Sequence, residues 1–261
     1  MLTHRIDGDG PPLILLNGGL MSIGSWDAIV ARIVDRFRII RCDFRGQHLT
    51  PGPFPATLEE HARDVVDLLD HLGIDRTHLL GTSFGAEVAI AIAALKPERV
   101  MSLIAATAVD RSTAAMSADA RMLRETAEAA ATSGRDGGEL FRRMAPTTFS
   151  RSWLEKQSPE FLETRARQVG AMPAEFFAGG AAILGIVETF DMTPYFGRIT
   201  APTLVIAAEH DELFPIEHSR AIAGGIRGAR LEIVRDSGHA AVIEQGARVA
   251  ELVVQFIDSL L

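Results

Sequence analysis

Short apolar runs alternate with longer amphipathic stretches along most of the chain, and this alternation constrains the fold more than any other feature. Each run is bounded by Gly, Pro, Asp or Asn and has the length of a buried strand. Helices between successive strands favour a parallel sheet covered on both faces. The predicted strands are Leu13–Leu16, Arg38–Arg41, His78–Gly81, Met101–Ala106, Thr203–Ala207 and Leu231–Val234, with Leu2–Ile6 as a weaker candidate.

Three helices are predicted between or after these strands. Thr57–Leu72 places its apolar residues on one face of a 3.6-residue period, and Gly73 follows it as a typical helix-ending residue. Phe84–Leu95 is alanine-rich and ends before a proline, and Ala247–Leu260 is amphipathic and closes the chain. The pattern predicts an α/β fold with a mostly parallel sheet of seven to eight strands.

The stretch from about residue 111 to 198 interrupts the alternation, because it contains no convincing strand and reads as several helices. It is either a helical part of the core or a cap inserted between two strands. We expect the cap, which divides the chain into an α/β core at 1–110 and 198–261 and a helical insertion at 111–197.

Length and charge limit the classes of function. The chain of 261 residues is 47% hydrophobic with a formal charge of −8, as expected of a folded domain that does not bind nucleic acid. The single cysteine, Cys42, excludes an internal disulfide, and no metal site is expected. No run of 18 apolar residues and no signal-peptide core occur, so we expect a cytoplasmic protein without a membrane partner.

The strongest chemical motif is Gly81-Thr82-Ser83-Phe84-Gly85, which follows a predicted strand and opens a predicted helix. This is the context that the G-x-S-x-G motif requires, because the serine then stands exposed on a cramped turn at the end of the sheet. A serine that only caps the helix is the alternative.

A nucleophilic serine needs a base in a loop at the carboxyl end of a strand. Of eight histidines, His239 has that position, after the strand that ends at Val234. His78 lies in a strand and is expected to be structural. Solvated positions are expected for His4, His61, His71 and His218.

The base needs a carboxylate that orients it. Asp211 follows the strand at 203–208 and gives the chain order Ser83, Asp211, His239. Asp110, at the end of the strand that begins at Met101, also precedes the histidine at a strand end and stays a rival.

Four segments in this order resemble the α/β-hydrolases that carry a helical cap. Residues 12–26 resemble the oxyanion strand and loop, and the serine turn follows at 81–85. Residues 201–206 with Asp211 resemble the acid strand, and residues 237–245 resemble the histidine loop. The resemblance covers nearly the whole chain and is nearest to the enol-lactonase and arylesterase-like subgroup, which also contains cofactor-free haloperoxidases.

The resemblance implies that Ser83 is the nucleophile, His239 the general base and acid, and Asp211 the residue that orients it. It implies an oxyanion hole made by the backbone N–H groups of Phe84 and Gly19, with Leu20 as the second donor if the register shifts by one. No cofactor and no metal are implied.

Four residues depart from the family pattern, namely Asn17, His48, Thr50 and Gly246. Asn17 stands where a histidine is usual and can still brace the loop by hydrogen bonds. His48 replaces a glycine, and a histidine at positive φ would be strained, so we expect a loop of altered shape. His48 is expected at the rim of the substrate pocket, with a second catalytic base as the alternative.

The predicted function is a cofactor-free serine hydrolase that cleaves a small to medium carboxylic ester or lactone through an acyl-enzyme. Carbon–carbon bond hydrolysis and perhydrolysis or haloperoxidation use the same triad and stay open. A ligand-binding protein that keeps the fold without turnover is the alternative of another class. The oligomeric state is not readable.

The cap is expected to roof the substrate pocket. Its apolar side chains favour an apolar acyl or alcohol group. Its arginines, at 121, 124, 142, 143, 165 and 167, either hold a substrate carboxylate or form a solvated helix face. The pocket candidates, besides Leu20 and His48, are Met116, Met144, Trp153 and Phe177.

Overall fold

Seven strands form a single sheet in the computed structural model, which describes residues 1–133 and 136–261. The order across the sheet is β1-β3-β2-β4-β5-β6-β7, with β1 antiparallel to β3 and every other neighbour parallel. The α/β fold and the mostly parallel sheet are therefore confirmed. The strands are β1 His4–Asp7, β2 Pro12–Leu16, β3 Arg38–Cys42, β4 Thr77–Thr82, β5 Val100–Ala106, β6 Thr203–Ala208 and β7 Arg230–Val234.

Alternate residues of the buried strands enter two different hydrophobic clusters, one on each face of the sheet. In β2, Ile14 and Leu16 pack into one cluster, whereas Leu13 and Leu15 pack into the other. Successive side chains of a strand point to opposite faces, so a strand between two helical layers must be apolar throughout. This explains why the strands read as continuous apolar runs rather than as an alternating pattern.

Six helices cover the two faces of the sheet. A capping box begins α2, because the Thr57 hydroxyl accepts the backbone N–H of Glu60 and the Glu60 carboxylate accepts the backbone N–H of Thr57. Gly73 follows at a φ of 64°. The helices are α1 Asp27–Ile33, α2 Leu58–His71, α3 Phe84–Leu95, α10 Ile216–Gly225, α11 Ala241–Glu244 and α12 Gly246–Asp258. Helices α1, α10 and α11 have no counterpart in the sequence prediction.

The stretch between β5 and β6 is helical where the structure describes it. An isolated bridge between Arg111 and Asp191 joins its two ends, next to the sheet. It has a hydrophobic cluster of its own, which includes Leu123, Leu140 and Phe177. The helices are α4 Ala114–Ser133, α5 Gly138–Thr148, α6 Arg151–Leu154, α7 Pro159–Gly170, α8 Ala174–Val187 and α9 Thr193–Phe196. The division of the chain at 111 and 197 stays a prediction.

Among the described residues, no individual helix has the length and apolar character needed to cross a membrane. Helices α7 and α8 together have sufficient length and apolar composition, but the chain bends by 98° at the break between them.

Candidate active site

Ser83 occupies a strained turn between β4 and α3. Its backbone has a φ of 50° and a ψ of −130°, a conformation that side-chain-bearing residues rarely adopt. The N–H of Ser83 donates to the carbonyl of Ala106 at 2.9 Å, which fixes the turn against the end of β5. Strain of this kind costs about 1–3 kcal/mol and is typical of functional sites.

The two glycines of the motif permit a close backbone approach. A Cβ atom on Gly81 would lie 2.1 Å from the carbonyl oxygen of Gly85, and one on Gly85 would lie 2.1 Å from the carbonyl oxygen of Leu16. Atoms at that distance overlap, so neither position accepts a larger residue without movement of the backbone. The spacing of the motif therefore has a steric cause at both ends.

His239 and Asp211 lie on the loops that follow the neighbouring parallel strands β7 and β6. Nδ1 of His239 is 2.9 Å from Oδ2 of Asp211, and both side chains are buried. The other oxygen, Oδ1, accepts the N–H groups of Leu213 at 3.0 Å and Phe214 at 2.7 Å. These bonds fix the carboxylate, and a bond on Nδ1 leaves Nε2 as the imidazole nitrogen open to a substrate or nucleophile.

The parallel strands bring Ser83, Asp211 and His239 to the same edge of the sheet, because each residue follows the carboxyl end of its strand. In the described part of the chain, neither the hydroxyl of Ser83 nor Nε2 of His239 forms a hydrogen bond with another protein group. Both groups are therefore free to engage a substrate.

Two backbone N–H groups beside Ser83 are also free. Gly18 and Met21 close a turn through a 3.1 Å bond from the Met21 N–H to the Gly18 carbonyl. The two polar groups of a trans peptide point in opposite directions, so the N–H of Gly19 points out of this turn. Neither it nor the N–H of Phe84 has a partner within residues 1–133 and 136–261.

Asn17 braces this turn as expected. Its amide donates to the carboxylate of Asp43 at 3.0 Å, and its carbonyl accepts from the indole N–H of Trp26 at 2.7 Å. Asp43 also accepts the N–H of Ile23 at 3.0 Å. Burial raises the pKa of Asp43, whereas His48 and these hydrogen bonds lower it. The loop is thus held by a buried polar network.

His48 adopts the left-handed conformation, with a φ of 39°, which residues with a side chain rarely adopt. The altered shape of its loop stays a prediction. Its ring lies 5.0 Å from the ring of Phe176 on α8, which places the imidazole between the β3 loop and the helical segment. Burial lowers the pKa of His48, and the Asp43 carboxylate opposes this effect.

The rival carboxylate Asp110 binds a different histidine. Its Oδ1 lies 2.6 Å from Nδ1 of His218, and its Oδ2 pairs with Arg111 at 3.2 Å. The expectation that His218 is a solvated helix residue is wrong, because its side chain is only 11% exposed and packs against this acid. The apolar spacing around α10 was too weak to reveal its buried face.

His61 is a second correction. It was expected at a solvated helix position but is 0% exposed, because it lies in an aromatic cage made by Phe44, Phe54 and Phe84. Burial lowers its pKa to about 3. His71 is exposed as expected, and His78 is buried in β4 with its Nδ1 2.7 Å from Oγ of Ser102, in agreement with a structural role.

The predicted pocket residues lie at different depths. Leu20 packs against α8, where a Cβ on Gly180 would be 3.3 Å from its Cδ2. Phe177 is buried inside the helical segment and faces Gly137. Met144 packs on the same cluster, Met116 packs on the core cluster, and Trp153 stacks on Phe149 with ring centroids 4.4 Å apart.

Three neighbours of the site were not singled out from the sequence. The ring of Phe214 meets the imidazole of His239 edge-on at 4.8 Å. The amide of Gln47 donates to the Gly19 carbonyl at 2.8 Å, and Ile183 lies against Gly19, where an added Cβ would be 3.4 Å from its Cγ2. Of these three residues, Phe214 is the one whose position near the site could have been inferred from the sequence, because it follows Asp211 closely in the chain.

A group of metal-ligand type, Glu209, His210 and Asp236, lies on the surface in the described residues, and all three are exposed. The carboxylate of Glu209 already binds Arg235 at 3.3 Å and the N–H of Asp236 at 3.1 Å, so we assign no ion to the group. Burial raises the pKa of Cys42 to about 12, which keeps its thiol protonated and unreactive.

Comparison with known proteins agrees with the α/β fold described above. The family model of the alpha/beta hydrolase fold matches residues 11–245. This chain therefore belongs to the α/β-hydrolase family and is an enzyme of the hydrolase class. It is 28% identical to RutD of Variovorax paradoxus (strain S110), to which a carbamate hydrolase activity is ascribed, over 98% of this chain and 96% of that protein.

Two solved structures are similar over nearly the whole chain. A thermophilic esterase from Thermogutta terrifontis superposes with a TM-score of 0.85 at 28% identity, covering 99% of this chain and 93% of the esterase. The enol-lactonase from Burkholderia xenovorans LB400 superposes with a TM-score of 0.83 at 26% identity, covering 98% and 96%. The enol-lactonase-like resemblance in the sequence is thus confirmed.

Proposed function

We propose that this hydrolase cleaves neutral carboxylic esters or lactones through an acyl-enzyme on Ser83, with His239 as base and Asp211 as its orienting acid. The observation that carries the proposal is the 2.9 Å contact between Nδ1 of His239 and Oδ2 of Asp211, at the sheet edge that also holds the strained Ser83. An ionised carboxylate on Nδ1 keeps the proton on that nitrogen and leaves Nε2 as an acceptor.

In the first half-reaction, Oγ of Ser83 attacks the carbonyl carbon while its proton passes to Nε2 of His239. Hydrogen bonds between catalytic groups are often long in the absence of substrate and shorten when it binds. The imidazolium then gives the proton to the leaving oxygen, the carbon–oxygen bond breaks, and the acyl group stays on Ser83.

The oxyanion that forms during attack accepts hydrogen bonds from the N–H groups of Gly19 and Phe84. Both are free of other partners in the described residues, and Gly18 lies close to Ser83, since a Cβ on Gly18 would be 3.5 Å from the Ser83 Cβ. Loss of one such donor typically costs about 3 kcal/mol of transition-state stabilisation.

In the second half-reaction, water gives a proton to Nε2 of His239 and its oxygen attacks the acyl carbon. The second tetrahedral intermediate collapses when the imidazolium returns the proton to Oγ of Ser83, and the carboxylic acid leaves. These steps use only the chain, the substrate and one water molecule.

A neutral, apolar substrate fits the surroundings of the oxyanion turn, which are the side chains of Leu20, Met21 and Ile183. In the described residues, the six arginines of the helical segment named above are either paired with a carboxylate or exposed on the surface. Arg124 pairs with Glu188 at 2.6 Å and Arg142 with Glu163 at 2.7 Å, and Arg165 is exposed. They form the solvated helix faces that the sequence allowed as one alternative.

The experiment is an activity panel with a covalent probe. Purified protein is mixed with p-nitrophenyl esters of increasing chain length, lactones, thioesters, carbamates and dienol ketones, and separately with a serine-directed phosphonate. We expect turnover of short and medium esters or lactones and one adduct on Ser83, both abolished in Ser83→Ala.

Other outcomes identify the alternatives. Preference for dienol ketones indicates carbon–carbon bond hydrolysis, and preference for carbamates indicates the activity ascribed to RutD. An adduct that forms slowly without turnover of any substrate favours a binding protein, and labelling that persists in Ser83→Ala rules out Ser83 as the nucleophile.

A further inference from the structure

Glu244, the last residue of α11, binds two segments that are far apart in the chain. Its carboxylate accepts the N–H of Gly238 at 3.1 Å and 3.2 Å, through its two oxygens. It also accepts the N–H of Ser150 at 3.1 Å and the hydroxyl of Ser150 at 2.5 Å. Gly238 directly precedes His239, whereas Ser150 lies between α5 and α6 of the helical segment.

A second bond joins the same two segments on the other side of His239. The N–H of Ala240 donates to the carbonyl of Thr148 at 2.9 Å. The segments are also in steric contact, since a Cβ on Gly238 would lie 2.5 Å from the nitrogen of Ser150. Both chain neighbours of His239 are therefore linked to residues 148–150, Ala240 by a direct hydrogen bond and Gly238 through the carboxylate of Glu244.

The anchor on the helical side is well fixed. Ser150 is buried, and its hydroxyl caps α6 by accepting the N–H of Trp153 at 3.2 Å. Phe149 stacks on Trp153 with an interplanar angle of 14°. The segment is thus tied to the residues that the sequence suggested for the substrate pocket.

From this geometry we infer that Glu244 is a positioning residue, which fixes the imidazole of His239 by clamping its loop to residues 148–150. The inference rests on the proposed function, in which His239 is the base. Without the carboxylate, the N–H groups of Gly238 and Ser150 lose their acceptor and the loop gains freedom. A base displaced by about 1 Å can lose about 100-fold in rate.

The clamp also links the helical segment to the base. A ligand that moves residues 148–150 moves the loop of His239 as well, because Glu244 and the Ala240 bond hold the two together. Contacts between a substrate and the helical segment can therefore change the rate of the chemical step as well as the binding of the substrate. An effect on the chemical step changes kcat, whereas an effect on binding alone changes KM.

The test compares Glu244→Ala and Glu244→Gln with Glu251→Gln as the matched control. Glu251 is exposed on α12, and its carboxylate pairs with Arg248 at 2.7 Å rather than with a residue of the site. We expect kcat to fall about 10- to 100-fold in Glu244→Ala with KM changed by less than about threefold. Glu244→Gln, which keeps one acceptor, should be intermediate, and Glu251→Gln should match the parent protein.

A double-mutant cycle tests the partner. Ser150→Ala removes the hydroxyl half of the clamp, so its effect on kcat should be smaller in the Glu244→Ala background than in the parent. The inference would be overturned if the effects of the two substitutions on kcat were independent, so that their product equalled the effect of the double mutant. It would also be overturned if Glu244→Ala retained the kcat of the parent protein or changed only KM. If Glu244→Ala does not fold, Glu244→Gln is judged by the same criteria.

Amide hydrogen exchange separates this inference from the proposed function. The N–H of Gly238 should exchange faster in Glu244→Gln than in the parent protein, whether or not any ester is cleaved. A parent protein without turnover overturns the proposed function alone, whereas an unchanged exchange rate at Gly238 overturns the clamp alone.

Discussion

Nδ1 of His239 lies 2.9 Å from Oδ2 of Asp211, although 28 positions separate the two residues in the chain. The other acid at a strand end, Asp110, contacts His218 instead, at 2.6 Å. Among the described residues there are therefore two histidine–aspartate pairs, on the loops or helices after neighbouring strands. One of the two includes the histidine of the proposed triad.

Asp211→Asn should lower kcat by about 10³- to 10⁴-fold, because an amide no longer holds the proton on Nδ1 of His239. The measurement is steady-state hydrolysis of the best ester in the panel, with KM determined separately.

Asp110→Asn is the matched control, since it alters the other pair and leaves His239 untouched. We expect its kcat to stay within about threefold of the parent value. A larger loss in Asp110→Asn than in Asp211→Asn would reassign the acid.

Asn17→Ala should lower both stability and kcat. The variant leaves the buried indole N–H of Trp26 without its acceptor, and an unsatisfied buried group typically costs about 1–3 kcal/mol. It also removes one of the hydrogen bonds that the Asp43 carboxylate accepts. The loosened turn should also misplace the N–H of Gly19. Urea unfolding and kcat measure the two effects.

Trp26→Phe separates these contributions, because it removes the indole donor and keeps the bond from Asn17 to Asp43. It should lower stability while kcat falls less than in Asn17→Ala. Equal kcat values in Asn17→Ala and the parent would show that the turn does not depend on this brace.

Glu87 should make the protein less stable at alkaline pH. Burial raises its pKa from 4.5 to about 8, so the folded state holds a proton that the unfolded state releases between these values. Folding stability then falls as pH rises from 4.5 to 8, by up to about 1.4 kcal/mol per pH unit. Glu87→Gln keeps an acceptor for the N–H of Val109 and removes this loss.

We expect Glu87→Gln to unfold at higher urea concentration than the parent at pH 8 and at a similar concentration at pH 4.5. Glu98→Gln, at an exposed position after α3, should leave the pH dependence unchanged. If the stabilities of Glu87→Gln and the parent protein changed with pH in the same way, Glu87 would not be the group that causes the loss at alkaline pH.

His61 should make the protein less stable at acid pH. Its pKa is lowered from 6.5 to about 3, so the unfolded state binds a proton that the folded state does not. Stability is lost as pH falls from 6.5 towards 3, again by up to about 1.4 kcal/mol per pH unit. His61→Phe should flatten this acid limb, as measured by urea unfolding at half-unit steps of pH.

The exposed His71 on the same helix provides the control, since His71→Phe should leave the slope unchanged. If His61→Phe and the parent lose stability with the same slope, another group controls the acid limb.

Features with a local cause could be predicted reliably from the sequence. The end of α2 at Leu72 and Gly73 followed from capping chemistry, and all seven strands were found to within two residues of their ends. Helix α10 was missed, since its apolar side chains are few and its pattern is weak. The predicted ends of several strands differ by one or two residues from those in the structure.

The burial of polar residues was the property that was predicted least well from the sequence. His61 and His218 occupy helix positions whose neighbours in sequence are polar, so periodicity indicated a solvated face. Aromatic rings from three other segments enclose His61, and a carboxylate 108 positions away binds His218. No local pattern carries such contacts.

The amino-acid sequence by itself determined the alternation of strands and helices and the strained serine turn, because hydrophobic period, capping and glycine sterics act between residues close in the chain. Only the tertiary structure decided that Asp211 rather than Asp110 meets His239, and that Glu244 reaches Ser150 across 94 positions. Those contacts arise when parallel strands align their carboxyl ends and the helical segment packs on them, which no short stretch of sequence specifies.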